Sequence, residues 1–187
     1  MEFDTRQNMM KALVPSNAIM AELGVFQGTF STFLYNELHP KKLYLVDLWE
    51  GNILSGDHDG NNLVRVDAAA TYLDVKAMFC DKPNVVIIKD WTSKFLNAVP
   101  PNYLDVVYLD ADHSYNGVMS DLQLSYPKVK TGGWIMGHDY GLNMQKCKYN
   151  HEFGVKRAVD DFLVQHPELK VDALAYDGCI SFAIRKL

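Results

Sequence analysis

The sequence predicts an α/β protein with a doubly wound, mostly parallel sheet that ends in an antiparallel hairpin. Three observations support this: short apolar runs alternate with helix-like stretches, a glycine turn joins the first run to the first main helix, and an Asp-Gly pair separates two β-rich runs near the end. Near-continuous apolar runs such as 85–88 are typical of strands whose faces are both covered by helices. A chain of 187 residues with 48% hydrophobic residues supports one core, so we assign residues 1–187 to a single domain.

The elements are predicted in chain order. A short helix over 4–13 comes first, followed by a strand over 17–23 and a helix over 29–38 whose apolar residues share one face. Pro40 ends that helix because proline cannot continue it. The next strands are predicted at 43–48, 85–89, 104–109 and 134–137, the last after a turn at 131–133, and the remaining helices at 68–79, 117–126 and 155–165.

Two β-rich runs, 171–176 and 179–185, come last. Asp177-Gly178 between them is a strong signal for a tight turn, so the two runs are predicted to pair antiparallel. The sheet of a dehydrogenase-type nucleotide-binding domain normally continues in parallel. The terminal hairpin therefore argues against that class of protein.

The turn from the first strand into the first main helix, Ala-Glu-Leu-Gly-Val-Phe-Gln-Gly at 21–28, predicts a ligand site. Gly24 and Gly28 would let the backbone approach a ligand closely and would tolerate the positive φ angles of such turns. Glu22 is a poor neighbour for a dinucleotide pyrophosphate, which prefers bare amide groups, but it accepts hydrogen bonds from an ammonium group. The segment points away from NAD and towards S-adenosylmethionine; a chance pair of glycines is the alternative.

Asp47 supports a ligand site because it ends the predicted second strand about 20 residues after the glycine turn. Nucleotide-binding folds place a carboxylate for the ribose hydroxyls at that spacing. The alternative for an isolated aspartate at the end of a strand is a cap or a turn. Asp47 therefore supports the site through its spacing from the glycines.

After the glycine turn and Asp47, five further sequence segments carry a recognisable pattern. They lie, in order, at 89–92, 109–118, 132–133, 137–140 and 154–159. Together they resemble class I S-adenosylmethionine-dependent methyltransferases and, among these, the small group related to macrocin O-methyltransferase. The resemblance covers nearly the whole chain and implies a seven-stranded, Rossmann-like methyltransferase sheet with S-adenosyl-L-methionine as the cofactor. It also implies that Asp90 faces the adenine amino group and that Trp91 stacks near the ring. The alternative for Trp91 is a half-buried core aromatic.

Three carboxylates are predicted to meet at the C-terminal edge of the sheet, where open α/β folds bind ligands. Asp110 and Asp112 end the fourth predicted strand, and Asp139 follows the fifth. Clustered carboxylates repel one another unless a cation or a proton lies between them, and their oxygen atoms suit Mg²⁺ or Ca²⁺. The resemblance implies that Asp110 and Asp139 hold a divalent metal such as Mg²⁺, with His138 beside them, and that Asp110 also borders the cofactor.

The residues after the fifth predicted strand depart from the family pattern, which usually has an acidic or amide pair where this chain has His138-Asp139. Metal-assisted transfer and metal-independent transfer are therefore both open. In either case Asp112, which matches the proposed base of the macrocin-like group, is the first choice to take the proton of an acceptor hydroxyl, and His113 is the alternative. His113 is equally consistent with a structural hydrogen-bonding role.

These features predict metal-assisted O-methylation of a small hydroxylated acceptor, such as a sugar or a phenolic compound. Two alternatives come from other classes of protein. A nucleotide-binding oxidoreductase is one, which Glu22 and the terminal hairpin disfavour, and a non-catalytic cofactor-binding module is the other. The polar stretches 51–62 and 141–153 are predicted to be lids or substrate-side loops, or solvated loops without a role.

A zinc site is a further alternative for the residues around the fifth strand, because Cys and His side chains are the ligands that Zn²⁺ prefers. Its spacing is plausible, although it has no second Cys/His pair. The residues that it would use are His138, Asp139, Cys147 and His151.

Composition limits the partners and the compartment. A net charge of −5 argues against a large nucleic-acid footprint. The three cysteines form no Cys-x-x-Cys pair, which fits a reducing compartment, and we interpret them as buried or incidental. The sequence has neither an apolar run of about 20 residues nor a signal-peptide pattern at its start. We therefore expect a soluble, cytoplasmic enzyme with a small-molecule acceptor and no nucleic-acid or membrane partner. In a homodimer, the partner subunit would cover the substrate site.

Overall fold

The computed structural model describes residues 1–50, 52–55, 64–141 and 154–187. Its strands are β1 (Glu2–Phe3), β2 (Ile19–Leu23), β3 (Lys42–Asp47), β4 (Asn52–Ser55), β5 (Val64–Asp67), β6 (Val85–Lys89), β7 (Leu104–Leu109), β8 (Val129–Gly137), β9 (Val171–Tyr176) and β10 (Ile180–Arg185). Its helices are α1 (Arg6–Leu13), α2 (Thr29–Leu38), α3 (Ala68–Met78), α4 (Thr92–Ala98), α5 (Tyr115–Ser125) and α6 (Val155–Gln165).

The main sheet has the strand order β1-β9-β10-β8-β7-β2-β3-β6. The strands β8, β7, β2, β3 and β6 are parallel to one another, whereas β10 is antiparallel to both β8 and β9. The prediction of a doubly wound, mostly parallel sheet with an antiparallel terminal hairpin is therefore confirmed. Outside this sheet, β4 and β5 pair antiparallel in a two-stranded sheet.

The main sheet contains eight strands, one more than the predicted seven. The additional strand is β1, which pairs in parallel with β9. The Leu174 amide donates to the Met1 carbonyl at 3.0 Å, and the N-terminal ammonium group donates to the Asp172 carbonyl at 2.7 Å. A two-residue strand lacks the apolar run by which strands are recognised in a sequence. Its pairing with β9 is what defines it.

The strand β8 begins at Val129, earlier than predicted, because the predicted Thr-Gly-Gly turn lies inside the strand as a bulge. The pairing of β8 with β7 shifts its register here. Gly132 has a φ of +79°, and its amide donates to the Lys186 carbonyl, just beyond β10, at 2.7 Å. The backbone of the bulge is therefore paired within the sheet, which corrects the prediction of a turn before the fifth strand.

Capping side chains define where α1, α3 and α5 begin, and the caps of α1 and α5 are typical. Thr5 accepts a hydrogen bond from the Asn8 amide at the start of α1, and Ser114 accepts one from the Gly117 amide at the start of α5, both at 3.1 Å. These acceptors satisfy amides that the first helical turn leaves unpaired.

The short helix α4 was not predicted, because its seven residues are too few for a periodic pattern. None of the described helices is long and apolar enough to cross a membrane.

Apolar side chains cover both faces of the main sheet. Along β7, Val106 and Tyr108 belong to one core cluster, whereas Val107 and Leu109 belong to the other, as the alternation of side chains along a strand requires. The first cluster includes residues of α1, α2 and α3, and the second includes residues of α4, α5 and α6. Both faces are thus covered by helices, and the edge where the parallel strands end is left for a site.

Replacement of Phe162 by alanine should lower the free energy of unfolding by about 3–5 kcal/mol, because the ring is fully buried between α6 and the sheet. Val164→Ala is the matched control on the same helix. Because Val164 is 80% exposed, that change should stay within about 0.5 kcal/mol. Urea denaturation followed by circular dichroism measures both variants, and equal losses would contradict this placement of α6.

Candidate active site

A cavity of about 580 Å³ opens where the parallel strands β2, β3, β6 and β7 end. Its volume lies within the roughly 300–1,000 Å³ that is usual for small-molecule sites. The chain leaves β2 towards β3 on one side, and β7 lies on the other side, so the cavity is at the point where the strand order reverses. Open α/β sheets bind their ligands at such a point. The wall is formed by residues at and just after the ends of these four strands, by the first residues of α2, and by Arg6 from α1.

Gly24 is required because the turn after β2 touches the chain that leaves β7. A Cβ atom on Gly24 would lie 2.0 Å from the Asp110 carbonyl oxygen, and the φ of Gly24 is +91°. Here the close approach is to the neighbouring chain; Gly24 also lines the cavity, and its approach to a ligand stays a prediction. Gly28, with a φ of +76°, precedes α2 and donates to the Val25 carbonyl at 2.9 Å. It is not among the residues that line the cavity.

Glu22 is buried in the cavity wall, with 2% of its surface exposed. Its Oε2 accepts a hydrogen bond from the Ser31 hydroxyl at 2.5 Å. Burial raises the pKa of Glu22 to about 8, although the hydrogen bond from Ser31 lowers it; the nearby charge of Asp110 contributes to the rise. The carboxyl group therefore holds a proton at neutral pH unless a cation enters the cavity and stabilises its charged form.

Asp47 joins the end of β3 to the glycine turn. Its Oδ2 accepts from the Val25 and Phe26 amides at 2.8 and 2.9 Å, and its Oδ1 accepts from the Trp49 amide at 2.8 Å. The Trp49 indole donates to the Phe26 carbonyl at 3.0 Å, and this buried ring also lines the cavity. Sequence reasoning missed Trp49, because an apolar residue after a strand gives no signal that its ring turns back towards the site.

Asp90 and Trp91 lie at the rim of the cavity, after β6. The Asp90 Oδ1 accepts from the Trp91 amide at 2.9 Å, and its Oδ2 lies 2.9 Å from Lys94 Nζ. The hydrogen bond with Lys94 lowers the pKa of Asp90. Trp91 is 62% exposed, so the alternative that it is a half-buried core aromatic is wrong. Its ring borders the cavity, where it is accessible for stacking.

The predicted cluster of carboxylates is joined by His113. The His113 Nε2 lies 3.2 Å from the Asp110 Oδ1 and 3.1 Å from the Asp139 Oδ2. Burial by itself would lower the pKa of His113, but its hydrogen bond with Asp110 and the charges of Asp139 and Asp110 raise it above the ordinary value. Asp110 and His113 line the cavity, and Asp139 is buried behind them. A proton on the imidazole can therefore offset the repulsion between the two carboxylates.

Asp139 also contacts two side chains outside this cluster. Its Oδ1 lies 3.1 Å from the His138 Nδ1, and the Cys179 thiol is hydrogen-bonded to the carboxylate. Burial would raise the pKa of Asp139, but the hydrogen bond and charge of His138 and the charge of His113 lower it. Burial and the charge of Asp139 raise the pKa of the Cys179 thiol to about 12. Sequence reasoning missed this contact because Cys179 lies in the terminal hairpin, far from Asp139 along the chain.

Two sets of side chains offer ligand atoms within 4.8 Å of one another: Asp110, His113 and Asp139, and His138, Asp139 and Cys179. The predicted metal residues Asp110 and Asp139 are thus close, but His113 lies between them, and His138 is on the other side of Asp139. The other two zinc candidates, Cys147 and His151, lie outside the described residues, as do most of the predicted loops 51–62 and 141–153.

Asp112 is exposed and folds back onto the start of α5. Its Oδ1 accepts from the Ser114 amide at 2.8 Å. A Cβ on Gly117 would lie 2.4 Å from the Asp112 carboxyl carbon, so this glycine makes room for the carboxylate. Asp112 lines the cavity, but its carboxylate is also part of the cap of a helix.

Replacement of Glu22 by glutamine should raise stability more at high pH than at low pH. The pKa of Glu22 is about 8 in the folded protein and 4.5 ordinarily, so the folded state keeps a proton that the unfolded state releases. The stabilisation from this proton is fully present below about pH 4.5 and is lost as pH rises through about 8. Glutamine has no proton to lose, so the free energy of unfolding of the variant relative to wild type should increase across that range.

Urea denaturation at about pH 5, 6.5 and 8 measures the difference for Glu22→Gln. Glu37→Gln is the matched control, because this exposed residue pairs with Lys11, whose hydrogen bond lowers the pKa of Glu37. The control should give a constant offset over the same pH interval. Parallel pH curves for Glu22→Gln and wild type would show that Glu22 titrates normally.

A family model described as a methyltransferase domain matches residues 21–140. The uncharacterized protein R132 of Acanthamoeba polyphaga mimivirus is 42% identical to this chain over 40 residues, an alignment that covers 21% of this chain. The alignment covers 18% of that protein, so this chain matches less than a fifth of the relative's length.

Solved structures share the fold at low identity. The O-methyltransferase NovP has a TM-score of 0.66 at 17% identity, over 97% of this chain and 79% of that one. An rRNA methylase from Streptococcus thermophilus has a TM-score of 0.64 at 12% identity, over 97% and 93%. Aeropyrum pernix fibrillarin, solved with natively bound S-adenosyl-L-methionine, has a TM-score of 0.61 at 13% identity, over 95% and 72%. Because the family match covers more than half of the chain and the fold agrees with it, the protein belongs to the methyltransferase-domain family, with the class I fold of S-adenosylmethionine-dependent methyltransferases.

Proposed function

We propose that the protein transfers the methyl group of S-adenosylmethionine to a hydroxyl oxygen of a small acceptor, with His113 as the general base. The observation that carries this proposal is the position of the His113 imidazole, which borders the cavity and contacts two carboxylates. The positive charge of an imidazole that takes up a proton would be stabilised by Asp110 and by the buried Asp139, which both contact its Nε2. That is the environment that a base for a hydroxyl group requires.

The residues of the cavity fit the cofactor. Gly24 lines the cavity, and its lack of a Cβ lets the glycine turn lie directly against the chain after β7. Trp91 offers an exposed ring for the adenine, Asp90 offers an acceptor for its amino group, and Asp47 lies at the ribose position of the fold. Glu22, which is buried and protonated when no cation is near, would become charged beside the amino-acid ammonium group.

S-adenosylmethionine supplies a methyl group on a positively charged sulfur. In the transfer the carbon–sulfur bond breaks with its electron pair going to the sulfur, and a carbon–oxygen bond forms to the acceptor. The hydroxyl proton goes to the His113 imidazole, whose Nε2–H stays hydrogen-bonded to the two carboxylates, and then to solvent. Asp139 would keep the imidazole oriented, and Asp110 would stabilise the charge that develops on it.

Binding of the cofactor is the first test. Calorimetry should show binding of S-adenosylhomocysteine and none of NAD, and failure to bind the former would end the methyltransferase proposal. A screen of hydroxylated sugars and phenols for production of S-adenosylhomocysteine would then identify the acceptor class. The net charge of −5 supports a small acceptor. Methyl transfer to an RNA but to none of the small molecules would contradict the proposal of a small acceptor.

His113→Asn should reduce kcat by about 100-fold or more, because general-base catalysis typically contributes that much. In the wild type, kcat should rise with pH through an apparent pKa above 6.5, since the pKa of His113 is raised and only the neutral imidazole accepts a proton. The variant should lose this rise. His39→Asn is the matched control, because His39 is exposed at the end of α2 and asparagine tolerates its left-handed conformation. It should retain kcat within about twofold.

Asp112→Asn separates the two candidate bases. The asparagine carbonyl can still accept the Ser114 amide hydrogen bond, so the cap of α5 should be kept. If His113 is the base, this variant should retain most of the wild-type kcat and its pH profile. A loss as large as that of His113→Asn would instead assign the proton transfer to Asp112.

A divalent cation is a second arrangement that the same cluster supports. Asp110, His113 and Asp139 offer two oxygen ligands and one nitrogen ligand within 4.8 Å, with His138 next to Asp139. The two carboxylate oxygens of this set suit Mg²⁺ or Mn²⁺. A bound cation would lower the pKa of the acceptor hydroxyl. Asp110 and Asp139 would then hold the cation in place of the imidazole proton.

Chelation distinguishes the two arrangements. If a metal is required, dialysis against EDTA should reduce kcat by about tenfold or more, and Mg²⁺ should restore it. Asp139→Asn should weaken the dependence of kcat on Mg²⁺ concentration. Full activity in EDTA would leave His113 acting without a metal.

A further inference from the structure

Arg6 brings a positive charge into a cavity whose wall is otherwise rich in acids. It comes from α1, before the region that the family model matches. Among the described residues that line the cavity it is the one lysine or arginine. The acidic residues of the same wall are Glu22, Asp47, Glu50, Asp90, Asp110 and Asp112.

The structure holds Arg6 in place from several sides. Its amide donates to the Asp177 Oδ2 at 3.1 Å, which ties the start of α1 to the terminal hairpin. Its guanidinium lies over the Phe30 ring, 4.3 Å from the ring centre. Its Nη1 lies 3.4 Å from the Tyr108 hydroxyl. The guanidinium is therefore positioned before any ligand arrives, which lowers the entropy cost of binding an anion.

The charged contacts of Arg6 leave some of its N–H groups able to donate to a ligand. Its Nη1 lies 3.4 Å from the Asp110 Oδ2, and its Nε lies 3.9 Å from the Asp177 Oδ2. Both distances exceed the roughly 2.7–2.9 Å of a strong charge-assisted hydrogen bond. A guanidinium carries five N–H donors, and the Arg6 side chain is 22% exposed. An anion in the cavity can therefore bind the guanidinium without displacing a tight ion pair.

We infer that Arg6 binds the carboxylate of the amino-acid end of S-adenosylmethionine, and that the adjacent Asp110, together with Glu22, faces the ammonium group of the same amino acid. This inference rests on the proposed function. A zwitterion that binds alongside this pair, whose nearest atoms are 3.4 Å apart, meets a charge of opposite sign at each of its two charged groups. The acids that surround the rest of the cavity would repel a carboxylate, so Arg6 sets the direction in which the amino-acid end can bind.

The consequence is that α1 completes the cofactor site. The matched region 21–140 supplies the glycine turn and the acids that follow the strands, but the cation for the carboxylate comes from outside it. The terminal hairpin contributes indirectly, since Asp177 accepts from the Arg6 amide. Arg6 is therefore a residue that selects ligands with an intact amino-acid end.

The test compares S-adenosylhomocysteine with its decarboxylated analogue, which lacks only the carboxylate. Calorimetry would measure both Kd values for wild type, Arg6→Gln, Arg6→Lys and the control Lys11→Gln. Lys11 is a cation on the same helix that pairs with the exposed Glu37. Wild type should bind S-adenosylhomocysteine roughly 10- to 100-fold more tightly than the analogue, as expected for a charged hydrogen-bonded pair. Arg6→Gln should weaken S-adenosylhomocysteine by that factor and leave the analogue nearly unchanged.

Arg6→Lys should keep part of the preference for the carboxylate, because it retains the charge with fewer donors, and Lys11→Gln should keep all of it. Equal weakening of both ligands in Arg6→Gln would mean that Arg6 only supports the fold and would overturn the inference. A wild type that binds both ligands equally would overturn it as well. If wild type binds neither ligand, the proposed function fails. Should Arg6→Gln not fold, the ratio of the two Kd values in Arg6→Lys decides.

Discussion

The contact between the turn after β2 and the chain that leaves β7 determines the geometry of the whole site. The Asp110 amide donates to the Leu23 carbonyl at 2.7 Å, and Gly24 lies so close to Asp110 that no side chain fits between them. Because β2 and β7 are neighbours at the point where the strand order reverses, this contact brings the glycine turn beside the carboxylates that follow β7. A larger residue at position 24 would separate the two strand ends and widen the cavity.

The charge balance of the cavity follows from that geometry. Six acidic residues line the cavity, and three features of the structure reduce the repulsion between carboxylates. Burial keeps a proton on Glu22, the His113 imidazole lies between Asp110 and Asp139, and Arg6 approaches Asp110 from the other side. The proton on Glu22, the His113 imidazole and the Arg6 guanidinium would each interact with a cation or a zwitterion in the cavity. The carboxylates whose repulsion is reduced in this way are the ones proposed to meet the positively charged cofactor.

Backbone conformation is also unusual around the site. Phe26, Trp49 and Asp139 have positive φ angles although none of them is glycine. The Asp47 carboxylate binds the amides of Phe26 and Trp49, and Asp139 contacts two histidines. Left-handed conformations of such residues cost free energy and persist where the surroundings constrain them. Here the constraining groups are the side chains that the cofactor and the acceptor are proposed to meet.

The order of the elements and the location of the site could be predicted from local patterns. Apolar runs, the glycine turn, the Asp-Gly hairpin and Asp47 each act over a few residues or a fixed spacing, so they are visible in the sequence. Glu22, Gly24, Asp110 and His113 were found in this way, and the structure brings them to one cavity. The short elements β1 and α4 had no such pattern, and the bulge in β8 was predicted as a turn because both use glycine.

Only the tertiary structure decided which distant groups touch. Arg6 lies beside Asp110, Cys179 beside Asp139, and the Trp49 ring beside Phe26, although nothing in their own segments indicates it. The position of His113 between two carboxylates, and of Asp112 on the cap of α5, likewise depends on how the strand ends pack. The physical reason is that local patterns report which face of an element is buried, whereas side-chain partners are set by contacts across the sheet edge between elements far apart along the chain.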